Sequence, residues 1–165
     1  MNVHSLMQNH RSIRRFDPRP VEAEKVQAIL DCMRLAPSAA NRQKWTFYAI
    51  ESQEKREAIA QATGNAWWAQ APLILAVTCD DCGVMTNGHR SDTVDCSIAM
   101  TLGMLCAEDL GLGTCWVASY TEDAVRSVLQ LSPEYSVPAL LIVGYGAEAP
   151  EARPRKPLSE ISTIM

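Results

Sequence analysis

The stretch from Asp92 to Leu110 constrains the fold more than any other part of this chain, because it reads as a long helix without a clear polar face. Ser91 or Asp92 is the expected N-cap, and Gly111 supplies a left-handed stop. Val94, Ile98, Leu102 and Leu105 mark one apolar stripe, while Ala99, Met100, Met104 and Cys106 carry apolar surface onto the other faces. Such a helix has to be covered on several sides. One domain of 165 residues has little left over for that, so the helix is expected at the centre of the fold or in a subunit interface. A merely well-buried core helix is the alternative.

The other segments alternate without a regular βαβ order. Val3 to Asn9 reads as a short helix, and Asp17-Pro18-Arg19-Pro20 breaks the chain after it. Val26, Ile29, Leu30 and Met33 recur at helical spacing, giving an amphipathic helix over roughly Val21 to Leu35 that Pro37 stops. Trp45 to Ile50, Leu73 to Cys79, Thr114 to Ala118 and Ala139 to Tyr145 read as strands, the last bounded by Pro138 and Gly146. Glu54 to Ala62 and Glu122 to Leu129 read as helices, and Asp80 to Arg90 as polar loop. The class is α+β, a mixed sheet of four or five strands flanked by helices, with a doubly wound fold as second choice. Residues 1–165 form a single domain whose Pro-punctuated tail, 147–165, is extended.

Hydrophobic residues at 47% and charged residues at 21% place the chain among folded globular proteins and exclude disordered or fibrous classes. No run approaches the ~20 apolar residues that cross a bilayer, and the N-terminus lacks an apolar signal core, so a cytoplasmic protein without a membrane is expected. The six cysteines sit mostly in apolar segments, which favours buried, reduced thiols. Only Cys79 and Cys82 have a metal or redox spacing, and no second pair completes a zinc set; no metal site is expected.

The net charge of -4 conceals a polarised distribution. Arg11, Arg14, Arg15, Arg19, Arg153, Arg155 and Lys156 bring seven of the 15 Lys and Arg residues to the two ends. Between Glu57 and Ala152 the only ones are Arg90 and Arg126. If the ends meet, they form one cationic pocket that suits a small phosphorylated ligand better than a nucleic-acid track; ordinary solvated arginines are the alternative. Arg11-Ser12-Ile13-Arg14 puts two guanidinium groups and a hydroxyl on four residues at an irregular turn, a good arrangement for a phosphate monoester. Gly111-Leu112-Gly113 is no dinucleotide fingerprint, because it follows a helix and precedes a strand.

Four ordered segments resemble one family. His10-Arg11-Ser12-Ile13-Arg14-Arg15-Phe16 and Ala36-Pro37-Ser38-Ala39-Ala40-Asn41-Arg42-Gln43-Lys44-Trp45 are similar to the R-S-x-R and P-S-x-x-N-x-Q-P-W segments of nitroreductase-family flavoproteins. The stretch from Asp95 to Val117 resembles that family's central helix and following strand, and Arg153-Pro154-Arg155-Lys156-Pro157 its C-terminal basic motif. The resemblance implies an intertwined homodimer that binds FMN in shared sites. It implies that Arg11 and Ser12 hold the phosphate and ribityl end, that Arg14 reaches the pyrimidine edge and tunes the flavin, and that Arg153 and Arg155 close the phosphate site. Pro37, Ser38, Ala39 and Asn41 match the loop reaching the flavin from the neighbouring subunit, and Trp116, Val117, Ala118 and Ser119 the strand end along the flavin. The chain departs from the pattern at Lys44, where the family often has Pro, and at Ala118-Ser119, where Gly is common.

The activity so implied is ping-pong transfer of hydride from NADH or NADPH onto FMN, then reduction of a flat small-molecule acceptor such as a nitroaromatic or quinone. No side chain is singled out as catalytic. The same resemblance permits reductive dehalogenation or flavin-consuming synthesis, and a non-catalytic flavin- or nucleotide-binding module stands beside these. The stretch between Ile74 and Asp92 is short for a substrate-covering insertion, so an open pocket is expected.

Overall fold

A computed structural model describes residues 2–80 and 83–165. Cys82 falls outside them, so the Cys79/Cys82 spacing has no structural counterpart here; Cys79 itself is buried at a strand end. The order is α1 (Val3–Asn9), β1 (Phe16–Asp17), α2 (Ala23–Arg34), β2 (Trp45–Ile50), α3 (Gln53–Ala62), β3 (Leu73–Cys79), α4 (Ser91–Asp109), β4 (Gly113–Val117), α5 (Glu122–Leu129), β5 (Ser136–Gly146) and α6 (Leu158–Ile161). No helix among the described residues is long and apolar enough to cross a membrane.

The class is α+β, with helices on both faces of a five-stranded sheet. β3 lies between β2 and β5, and β5 also pairs with β4 beside residues 140–144 and with β1 at its last two residues. All of these pairings are antiparallel, so the mixed character expected of the sheet is confined to an isolated parallel bridge between Ser12 and Thr114. All seven residues of β3 are buried because both faces are covered. Leu73, Leu75 and Val77 face a core shared with α2 and α4, whereas Ile74 and Ala76 face a second core with Ile59, Trp68 and Val125.

Three local features differ from the sequence reading. The N-cap of α4 is Arg90, because the Ser91 hydroxyl is spent on the Gly83 carbonyl at 3.0 Å and buried Asp92 takes the Arg90 guanidinium at 3.0 Å. β5 runs straight through Pro138; the pairing with β3 shifts register between Val77 and Cys79, and the residue without an N–H falls at that irregularity. The tail includes one short helix, α6, instead of being extended throughout.

α4 inverts the expected stripe. Its buried face carries Cys96, Ala99, Met100, Gly103 and Ala107. Ala99, Gly103 and Ala107 recur every fourth residue, and this smooth ridge lets α2 approach: a Cβ built on Gly103 would lie 2.6 Å from Met33 Cγ. Val94, Ile98, Leu102 and Leu105 therefore point outward, with Val94 36% exposed and the other three partly so. Bulky side chains belong on the side with room, so one chain buries the small face of this helix and leaves its large apolar face incompletely covered.

Candidate flavin site

The Arg11 to Arg14 segment leaves α1 and runs along the outer edge of β4, where the Ile13 N–H donates to the Thr114 carbonyl at 2.8 Å. Ile13 is buried and fixes the segment from beneath, with Gly113 making room: a Cβ there would lie 2.9 Å from Ile13 Cγ1. The end of α4 holds the other flank, since His10 Nδ1 pairs with Glu108 Oε1, an atom the Thr114 hydroxyl also reaches at 3.4 Å. Glu148, just beyond β5, accepts the backbone N–H groups of Arg14 at 2.5 Å and Arg15 at 3.1 Å. Those contacts, first of all the Arg14 N–H, hold its carboxyl below the usual carboxylate range.

This frame brings the two ends of the chain together. Arg11, Ser12, Arg14, Arg153 and Arg155 line one cavity of about 620 Å³, with His4, His10 and Glu151 also on its wall. That volume is within the roughly 300–1,000 Å³ of small-molecule sites. Four guanidinium groups against one carboxylate give it the charge to receive an anion. Arg11 Nη1 rests on the Gln8 and His10 carbonyls at 3.0 and 2.7 Å, and Arg14 Nη1 on the Ser12 carbonyl at 3.4 Å. A second cavity of about 440 Å³ shares Arg11 and Pro150 with the first and is floored by Gly111, Gly113 and Gly146.

The other sequence-selected residues lie elsewhere. Pro37, Ser38, Ala39 and Asn41 form the loop after α2, pinned to the first turns of α4 by the Ala39 N–H donating to Asp95 Oδ2 at 3.0 Å and closed by Ser38 Oγ accepting from the Gln43 N–H at 3.0 Å. Along α4, Asp95 and Glu108 are separated by about 20 Å, so within one chain this loop does not approach Arg11. Ala40, Asn41 and Gln43 all have φ near +50°, a left-handed conformation in which Ala and Gln are uncommon. Strain of this kind, costing of order 1–3 kcal/mol per residue, persists where surrounding structure enforces it and clusters at ligand sites.

Trp116 and Val117 end β4 opposite Leu141 and Leu140, and Ala118 and Ser119 follow, exposed. The Trp116 indole Nε1 is buried without a hydrogen-bond acceptor. A buried donor left in that condition costs roughly 1–3 kcal/mol. A terminal phosphate finds a matching group in the guanidinium cavity, and the exposed Ala118 and Ser119 after β4 leave a small-residue strand end that a flat ring can approach. Sequence reasoning did not single out His10, Glu108 or Glu148. His10 directly precedes the arginine segment, which was a usable signal; Glu148 meets Arg14 across 134 residues and had none.

The nitroreductase family's sequence pattern matches residues 7–72 and 61–145. The chain belongs to the nitroreductase family. It is 34% identical to a Methanothermobacter thermautotrophicus protein named for NADH dehydrogenase/NAD(P)H nitroreductase activity, over 93% of this chain and 82% of that one. It is 30% identical to an FMN reductase [NAD(P)H] of Bacillus subtilis, over 93% and 70% of the two chains. The crystal structure of a nitroreductase family protein from Clostridium difficile superposes with a TM-score of 0.89 at 30% identity, covering 99% of this chain and 98% of that one. The likeness to that fold thus covers nearly all of the residues in this chain.

Proposed function

We propose that this chain is an FMN-dependent oxidoreductase that takes hydride from NADH or NADPH and reduces flat acceptors such as nitroaromatics or quinones, working as a homodimer. The observation that carries the reading is the convergence of Arg11, Arg14, Arg153 and Arg155 on one cavity from opposite ends of the sequence. FMN, when bound, supplies the two-electron chemistry, receiving hydride from the nicotinamide and passing electrons on to the acceptor.

The chain's own groups bind and tune. Arg11, Ser12, Arg153 and Arg155 would neutralise and hold the phosphate end, and Arg14 would lie at the pyrimidine edge, where a fixed cation would stabilise the negative charge of the reduced cofactor. Glu148 and the His10–Glu108 pair keep the backbone that presents these arginines from shifting. Trp116, Val117, Ala118 and Ser119 would flank the ring, the small side chains of Ala118 and Ser119 allowing close approach. Pro37, Ser38, Ala39 and Asn41 complete the site of the neighbouring subunit, which accounts for a strained loop far from its own chain's arginines.

The outward stripe of Val94, Ile98, Leu102 and Leu105 supports the dimer, as does the tail, where Leu158, Ile161 and Ile164 are 74%, 64% and 100% exposed. Large apolar side chains left uncovered on one helix face and along the tail fit an interaction face. An obligate interface here buries more than ~2,000 Å². Two measurements test the activity. Mass analysis of the cofactor released from purified protein is expected to give FMN, and added quinone is expected to drive steady consumption of NADH or NADPH. FAD, no flavin after reconstitution with excess FMN, or a flavin-loaded protein inert with every quinone and nitroaromatic tried would refute the reading.

A further inference from the structure

Burial does not hold the loop after α2 in its strained shape. Ala40, Asn41 and Gln43 have φ of 52°, 53° and 51°, and all three residues are exposed. Hydrogen bonds hold it instead, and they converge on Ala39. Its N–H donates to Asp95 Oδ2 at 3.0 Å, and its carbonyl accepts from Arg42 Nε at 3.2 Å. The Ser38 hydroxyl and carbonyl oxygens close the turn, accepting from the Gln43 N–H at 3.0 Å and the Asn41 N–H at 2.8 Å. All of these bonds except the first join residues within 38–43 and can travel with the loop. The Asp95 bond differs, because it ties the loop to α4 across 56 residues. Asp95 is half-buried on that helix, one turn before Ile98 and two before Leu102, and so borders the outward stripe.

We propose that Asp95 is a positioning residue that keeps the Ser38 to Asn41 loop in its flavin-competent shape, acting on the neighbouring subunit's site and not on its own. The inference rests on the shared-site reading above. A backbone amide bound to a carboxylate makes a charge-assisted bond, stronger than the neutral bonds that close the turn. Left-handed Ala and Gln relax readily once a restraint is gone, because their side chains disfavour that region. FMN then meets mostly relaxed loops, and its apparent affinity falls with the fraction of loops still in shape. Asp95 is not among the residues lining the arginine cavity, so it positions and does not catalyse. Its place at the border of the outward stripe gives α4 two tasks in the proposed dimer. The helix that meets the partner also sets the loop that serves the partner's cofactor.

The test titrates the flavin-free protein with FMN, read by quenching of flavin fluorescence, and follows hydrogen exchange at the Ala39 amide. A hydrogen bond to a charged group is worth roughly 10- to 150-fold in an equilibrium. Asp95→Ala is expected to weaken FMN binding by about that factor and to speed exchange at Ala39, with particle mass and circular dichroism unchanged. Asp95→Asn keeps an acceptor oxygen in place and is expected to recover most of the affinity and protection. Asp95→Leu fills the space without an acceptor and is expected to behave like Asp95→Ala. An Asp95→Ala protein that binds FMN as tightly as the wild type, or recovery by Leu as complete as by Asn, would overturn the proposal. An unprotected Ala39 amide in the wild-type protein would do the same, and needs no variant to fold. Wild-type protein that takes up no FMN refutes the proposed function instead; faster Ala39 exchange in Asp95→Ala then upholds the tether, and unchanged exchange overturns it.

Discussion

A Leu102→Glu variant is expected to fall apart into monomers at micromolar concentration and to lose bound flavin with the partner. Leu102 lies in the middle of the outward stripe of α4 and is already partly exposed in a single chain, so a carboxylate there leaves the fold of the monomer largely undisturbed. In the proposed dimer the same position is covered by the second copy. An unpaired charge buried in that way costs about 3–5 kcal/mol, and two-fold symmetry imposes it twice, which weakens association by roughly 10⁴- to 10⁷-fold. Light scattering reads the mass and circular dichroism confirms that the monomer is folded. A Leu102→Glu protein that stays dimeric with full flavin content would move the interface off this helix face.

Changing Arg14 to Ala is expected to make the bound flavin harder to reduce while leaving most of its affinity intact. The guanidinium is held over the cavity by a backbone that Glu148 fixes through the Arg14 and Arg15 N–H groups, and the phosphate retains Arg11, Arg153 and Arg155 without it. Losing a hydrogen bond to a charged group costs about 1.5–3 kcal/mol, which for a two-electron couple lowers the midpoint potential by about 30–65 mV. Reduction by NADH or NADPH slows accordingly. Spectroelectrochemistry of the variant against the wild type checks this. An unchanged potential together with loss of FMN would assign Arg14 to the phosphate and contradict its place at the ring.

Periodic segments of this sequence announce themselves, and long-range partners do not. β2, β3 and α5 have the bounds that alternation, spacing and turn residues indicate, because their burial pattern is set locally. α4 was readable as a helix needing cover on several sides, yet its main stripe pointed the wrong way: Ala99, Gly103 and Ala107 bury better than Leu102 because close helix approach rewards small residues, which no count of hydrophobicity conveys. Pro138 looked like a boundary since its tolerance depends on a register shift in the neighbouring strand. In the site, the asymmetry of charge between ends and middle raised a shared cationic pocket beside the alternative of ordinary solvated arginines, and the family resemblance selected Arg11, Arg14, Arg153 and Arg155. The acids that position it, Glu108 through His10 and Glu148 through Arg14, act across 98 and 134 residues and become visible only once the chain is folded.

The central claim is a flavin site divided between two copies of this chain, with the arginines from one and the Ser38 to Asn41 loop from the other. Light scattering coupled to visible absorbance on the purified protein tests it most directly, because it reads mass and flavin content in the same peak. The account predicts a particle of two chains carrying one FMN per chain. A stable monomer that retains one FMN would contradict it.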